Sequence, residues 1–109
     1  MSYKKLHEPM HIEVDTIEEF EVWVTDGFNS GNKLMVSKTI VNSILDNLDQ
    51  KQIHIFEVLV KEQNSIYDIS VHEDDFIFTL EKNLKIMEMF EEFEMCSKIV
   101  KTINKLKNG

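Results

Sequence analysis

The spacing of apolar side chains changes period along this chain, and that change limits the fold more than any other feature. Met10, Ile12 and Val14 alternate with His11, Glu13 and Asp15, the two-residue period of a half-buried strand. From Gln52 to Val60 both faces are largely apolar, with Ile53, Ile55 and Leu59 on one side and Phe56, Val58 and Val60 on the other, which predicts a strand in the middle of a sheet. After the polar turn Lys61–Ser65, Tyr67, Ile69 and Val71 predict the returning strand of a hairpin. From Asp74 the period becomes helical: Leu80, Leu84, Met87 and Phe90 or Glu91, then Phe93, Cys96, Val100 and Ile103 with Ile99 and Leu106 beside them. A chain that carries both periods in separate stretches is read as α+β.

Two stretches leave choices open. Phe20, Val22 and Val24 alternate like a second strand, joined to the first through Thr16–Glu19. The same Thr16-Ile-Glu-Glu19 also fits a capping box, so a helix is the alternative there. Asp26 to Asn32 is rich in turn formers and predicts a loop, after which Ser37 is placed to cap a helix carrying Ile40, Val41, Ile44, Leu45 and Leu48. A single helix from Asp74 to Lys107 exceeds the roughly 8–20 residues usual in globular proteins, so a tight turn is expected at Glu91–Glu94. The expected architecture is ββαββαα, an antiparallel sheet with helices on one face and a C-terminal helical hairpin. The chain has 109 residues, three Gly, one Pro and no linker-like tract, so one domain is expected: a loose arm over 1–9, the sheet with one helix over 10–71, and the hairpin over 74–107.

The charge excludes some functions. Twelve basic residues, all Lys, stand against 20 acidic ones, a net charge of -8 that disfavours direct nucleic-acid binding, which draws on cation patches and Arg forks. Residues 1–50 hold nine carboxylates against four lysines, so any acidic surface is expected there, at Glu13, Asp15, Glu18, Glu19 and Glu21, while the second half is charge-mixed. No apolar run approaches the roughly 20 residues of a membrane span, and no signal-type h-region follows Lys4 and Lys5, so a cytoplasmic protein is expected. The lone Cys96 has no internal disulfide partner, which fits a reducing compartment. Ala and Arg are missing altogether while Ile, Lys, Asn and Glu abound, as in chains from AT-rich genomes, a low-GC bacterium or its phage.

Residues with chemical potential do not assemble into a familiar site. Gly27-Phe-Asn-Ser-Gly31-Asn-Lys33 departs from a phosphate-binding P-loop, with three residues between the glycines, Asn32 before the lysine and no Ser or Thr after it. Its Phe28 is a candidate recognition anchor at a polar loop tip. His7 and His11 are four apart, but Pro9 between them opposes the helix that would align them, and His54 and His72 read as surface positions. Cys96 lies mid-helix in an apolar stripe, where an inert buried thiol is expected rather than a nucleophile. No catalytic residue, metal or cofactor is therefore nominated. Met87, Met89 and Met95 give the last helices adaptable side chains suited to a core or a binding surface alike.

Leu80-Glu-Lys-Asn-Leu84, Glu92-Phe-Glu-Met-Cys-Ser-Lys-Ile99 and Ile103-Asn-Lys-Leu106 together resemble the UVR motif, a short helical hairpin used for protein association. Cys96 and Ser97 stand at its pair of small residues and Ile99 at its leucine, whereas Val100 and Lys101 replace the expected Arg-Asp. The resemblance covers about a quarter of the chain, and it implies docking to another hairpin or to a partner in repair or proteolysis, not catalysis. The expected function is a small acidic, non-enzymatic protein–protein interaction module with Glu92, Phe93 and Glu94 as further contact residues, and a homodimer is among the expected assemblies. The alternatives are a phage-type DNA-mimic inhibitor acting through its carboxylates, or a small-ligand or enzymatic domain using the 26–33 loop.

Overall fold

Thr16 decides what the chain does after its first strand. In the computed structural model, which describes residues 8–26 and 33–109, the Glu19 N–H donates to Thr16 Oγ1 at 3.1 Å and Glu19 Oε2 accepts from the Asp15 N–H at 3.1 Å. This reciprocal cap opens helix α1 (Ile17–Asp26) directly behind strand β1 (Met10–Val14), with Glu18 and Glu19 in the first turn, where the helix dipole favours them. The strand expected over Phe20–Val24 is therefore a helix, because local capping outweighs a short alternation that fits either period.

Helix α2 (Lys33–Leu45) follows, and with α1 it supplies the crossover that a parallel strand pair requires. Strand β2 (Gln52–Val60) pairs parallel with β1, Met10 opposite Phe56 and Val14 opposite Val60, and antiparallel with β3 (Ser65–His72). The three-stranded sheet, in the order β1-β2-β3, is thus mixed rather than antiparallel throughout. Helices α3 (Phe76–Met89) and α4 (Phe93–Asn108) complete the chain, so the order is βααββαα within the expected α+β class, with the expected C-terminal hairpin. Among the described residues no helix is long and apolar enough to cross a membrane.

A β-bulge explains how β2 buries so much. The β2–β3 register shifts between His54 and Phe56, leaving Ile55 as the extra residue. Residues before and after the bulge thereby swap parity, and Ile53, Ile55, Phe56, Val58 and Val60 are all buried while His54 is exposed. β2 is the central strand, as expected, but the bulge turns nearly all its apolar residues to one face. Opposite them on the neighbouring strands, Met10, Ile12, Val14, Ile69 and Val71 pack partly buried against the same core.

That core is closed by Val36, Val41 and Ile44 of α2, Phe76, Leu80 and Met87 of α3, and Ile99 and Ile103 of α4. Ser37 is not a helix cap. It lies inside α2, fully buried, and its Oγ donates to Asn83 Oδ1 of α3 at 2.8 Å. Asn83 Nδ2 in turn donates to the Thr79 carbonyl at 2.8 Å, so the buried polar pair between α2 and α3 is hydrogen-bonded in both directions.

The turn between α3 and α4 has no glycine, yet it closes as a Schellman motif. The Glu92 N–H donates to the Met87 carbonyl at 2.9 Å and the Glu91 N–H to the Glu88 carbonyl at 3.1 Å, with Glu91 left-handed at φ 57°. A side chain in that conformation is unfavourable by about 1 kcal/mol or more relative to glycine. Glu91→Gly is accordingly expected to raise the unfolding free energy by about 1 kcal/mol, read as a higher urea midpoint at unchanged slope.

Candidate interaction surface

The Schellman turn fixes which face of α4 reaches the core. Ile99 is 0% exposed and Ile103 is buried beside it, with Met95, Cys96 and Leu106 partly buried along the same side. Val100, expected in the buried stripe, is instead 44% exposed. Two overlapping stripes at helical spacing run along this helix, and the packing against α3 selects the one centred on Ile99, some 60–100° from the expected centre. Two ion pairs hold the seat, Lys38 Nζ to Glu92 Oε1 at 2.9 Å from α2 and Lys107 Nζ to Glu81 Oε1 at 3.2 Å from α3. Both are solvent-accessible and worth about 1 kcal/mol or less each, so they orient α4 more than they stabilise it.

What remains outside is apolar. Phe93 is 68% exposed, Met89 67%, and Phe90 and Val100 are also exposed, so four large apolar side chains lie uncovered on the turn and the adjoining shoulder of α4. Phe93 and Val100 are seven residues apart, two helical turns, and so share one stripe, with Cys96 at its inner edge. Isolated exposed apolar residues are ordinary, but several on one hairpin are the usual mark of a contact surface. Of the sequence-predicted residues here, Phe93 and Glu94 are exposed, whereas Glu92 is engaged with Lys38. Met89 was open in the sequence to either a core or a surface place and is exposed, whereas the exposure of Val100 was hidden because its spacing suits burial equally well.

Part of the predicted acidic group is engaged in local contacts. Lys61 Nζ lies 3.4 Å from Glu13 and 3.7 Å from Asp15, and the Glu19 carboxylate caps α1. Glu18 and Glu21 are exposed on α1. Phe28 and the glycine loop lie outside the described residues.

The open face of the sheet carries a shallow depression among the described residues. His11 Nδ1 stands 2.6 Å from Glu57 Oε2, directly across the β1–β2 ladder, beside that depression of about 280 Å³ lined by His11, Ile12, Glu13, Glu57, Leu59 and Ile66. Small-molecule clefts enclose roughly 300–1,000 Å³, and no hydroxyl or thiol lines this one. Among the described residues no three His, Cys, Asp or Glu side chains gather to hold a metal ion. The Cys96 thiol is pushed above its ordinary pKa by burial, then by the neighbouring Glu88 and Glu92, against an opposing backbone hydrogen bond; at neutral pH it is a protonated, poor nucleophile.

The chain matches no family model, no curated protein and no solved structure. Among the described residues, the α3–α4 hairpin leaves Met89, Phe90, Phe93 and Val100 uncovered around its turn.

Proposed function

We propose that this chain is a non-enzymatic protein–protein interaction module that docks through the α3–α4 hairpin. The observation that carries the reading is the apolar shoulder of Met89, Phe90, Phe93 and Val100, left uncovered at the end of α3, the turn and the start of α4, beside the side of α4 on which Ile99 and Ile103 are buried. The hairpin coincides with the UVR-like segment, whose resemblance implies association. Centrally placed aromatic side chains dominate binding energy at protein interfaces, and Phe93 has that character. The acidic-mimic reading draws less support, since Glu13 and Asp15 share Lys61 and Glu19 serves a helix cap.

Affinity capture from host extract with the full chain as bait tests the proposal. Phe93→Ser and Val100→Asp baits, which alter only exposed positions, are expected to lose a partner that the wild-type chain and a Glu18→Gln control retain. Retention by all four baits, or the same loss in the Glu18→Gln control, contradicts docking through the hairpin.

A further inference from the structure

We propose that the occupant of this shoulder is a second copy of the chain, the two α4 helices running antiparallel about a two-fold axis that passes between Cys96 and Ser97. The inference rests on the reading of the hairpin as a docking surface and names what it docks to. With the axis at that point, Phe93 of each copy meets Val100 of the other, so both exposed apolar residues are covered twice by one symmetric contact. The residues at the crossing, Cys96 and Ser97, are small, which lets the helices approach closely there.

The charges specify the direction. Helix α4 is acidic at its start, at Glu94 with Glu91 in the turn before it, and basic farther along, at Lys98, Lys101 and Lys105. At helical spacing Glu94, Lys98, Lys101 and Lys105 fall on one flank beside the Phe93–Val100 stripe. Among the described residues none of these four is ion-paired within its own chain. A parallel copy, related by an axis along the helices, carries this flank to the other side of the contact, where Glu94 meets none of Lys98, Lys101 and Lys105. An antiparallel copy sets Glu94 beside Lys98 and Lys101 of the other helix, on both sides of the axis, and opposes the helix dipoles as well.

Sedimentation of the full chain over a wide concentration range tests this. A reversible dimer that weakens with added salt is expected. Glu94→Lys and Lys101→Glu are each expected to weaken it at least about tenfold, because the first turns four attractions, two on each side of the axis, into repulsions and the second turns two. An equimolar mixture of the two variants is expected to associate more tightly than either variant alone, since in the mixed dimer both contacts between positions 94 and 101 are again attractive and only one contact with Lys98 stays repulsive. In a parallel dimer neither single reversal weakens the pairing, so unchanged association in both variants overturns the proposal. A chain that stays monomeric up to millimolar concentration also overturns it. If the Phe93→Ser bait nevertheless loses a captured protein, the docking surface stands and only its occupant is reassigned; if neither self-association nor capture depends on Phe93, both readings fail.

Discussion

Phe56→Ala lowers the unfolding free energy by about 4 kcal/mol, the largest loss expected from any single truncation in the domain. Phe56 is, with Phe76, the bulkiest of the fully buried side chains among the described residues and sits at the β-bulge, the one place where β2 changes parity. It is also the residue of β2 paired with both neighbours at the rim of that bulge, opposite Met10 on β1 and Ile69 on β3. Removing the ring opens a cavity beneath strands held on both sides, so the surroundings collapse poorly and the loss lies toward the upper part of the range for such changes. Because a domain of this size has a total stability of only about 5–15 kcal/mol, urea denaturation is expected to show a midpoint shifted far toward zero, with the slope preserved. A change below about 1 kcal/mol would mean that the bulge does not turn Phe56 into the core.

The second large effect separates two adjacent residues of α4. Ile99→Ala is expected to cost about 3 kcal/mol, whereas Val100→Ala stays within about 0.5 kcal/mol of wild type. Ile99 is 0% exposed and joins the common core with Ile103, so its truncation loses both transfer energy and packing between the hairpin and α2. Val100 shares the helix and its propensity but not the burial. Thermal or urea unfolding of the two variants reads the difference directly, and equal losses would mean that α4 is rotated from the seat described.

Much of this fold was legible in the residues. The strands at Met10–Val14, Gln52–Val60 and Ser65–His72, the α+β class and a break between two terminal helices follow from periodicity and length, although the break falls at Phe90–Glu92 and not at Glu91–Glu94, since Phe93 and Glu94 already belong to α4. What was not legible has physical causes. Phe20–Val24 is short enough to suit either period, and only the Thr16–Glu19 cap decides it. Whether β1 joins β2 parallel or antiparallel depends on the path of α1 and α2, which alternation cannot encode. The bulge at Ile55 is invisible because apolar residues occupy both parities of β2, and the Schellman turn because Glu91 holds the place where glycine normally signals it. In the candidate site, Phe93 and Glu94 were legible as surface residues. The orientation of Val100 was not, since Cys96, Val100 and Ile103 and Met95, Ile99 and Ile103 are equally good apolar stripes until α3 packs against one of them.

The net charge of -8 carries less meaning in three dimensions than in sequence. Carboxylates of the acidic N-terminal third are drawn into local contacts with Lys61 and the α1 cap, while the terminal helix separates its charges by sign along its length. Such an arrangement suits register and direction in a contact more than attraction to a generally basic surface.

The most direct test is the behaviour of Val100→Asp, measured by thermal unfolding and sedimentation on the same preparation. A charge on the uncovered shoulder is expected to leave the melting temperature within about 3 °C of wild type while association through α4 is lost. A chain that unfolds at a much lower temperature, or one that folds normally and associates as the wild type does, would contradict the claim that this shoulder is an interaction surface.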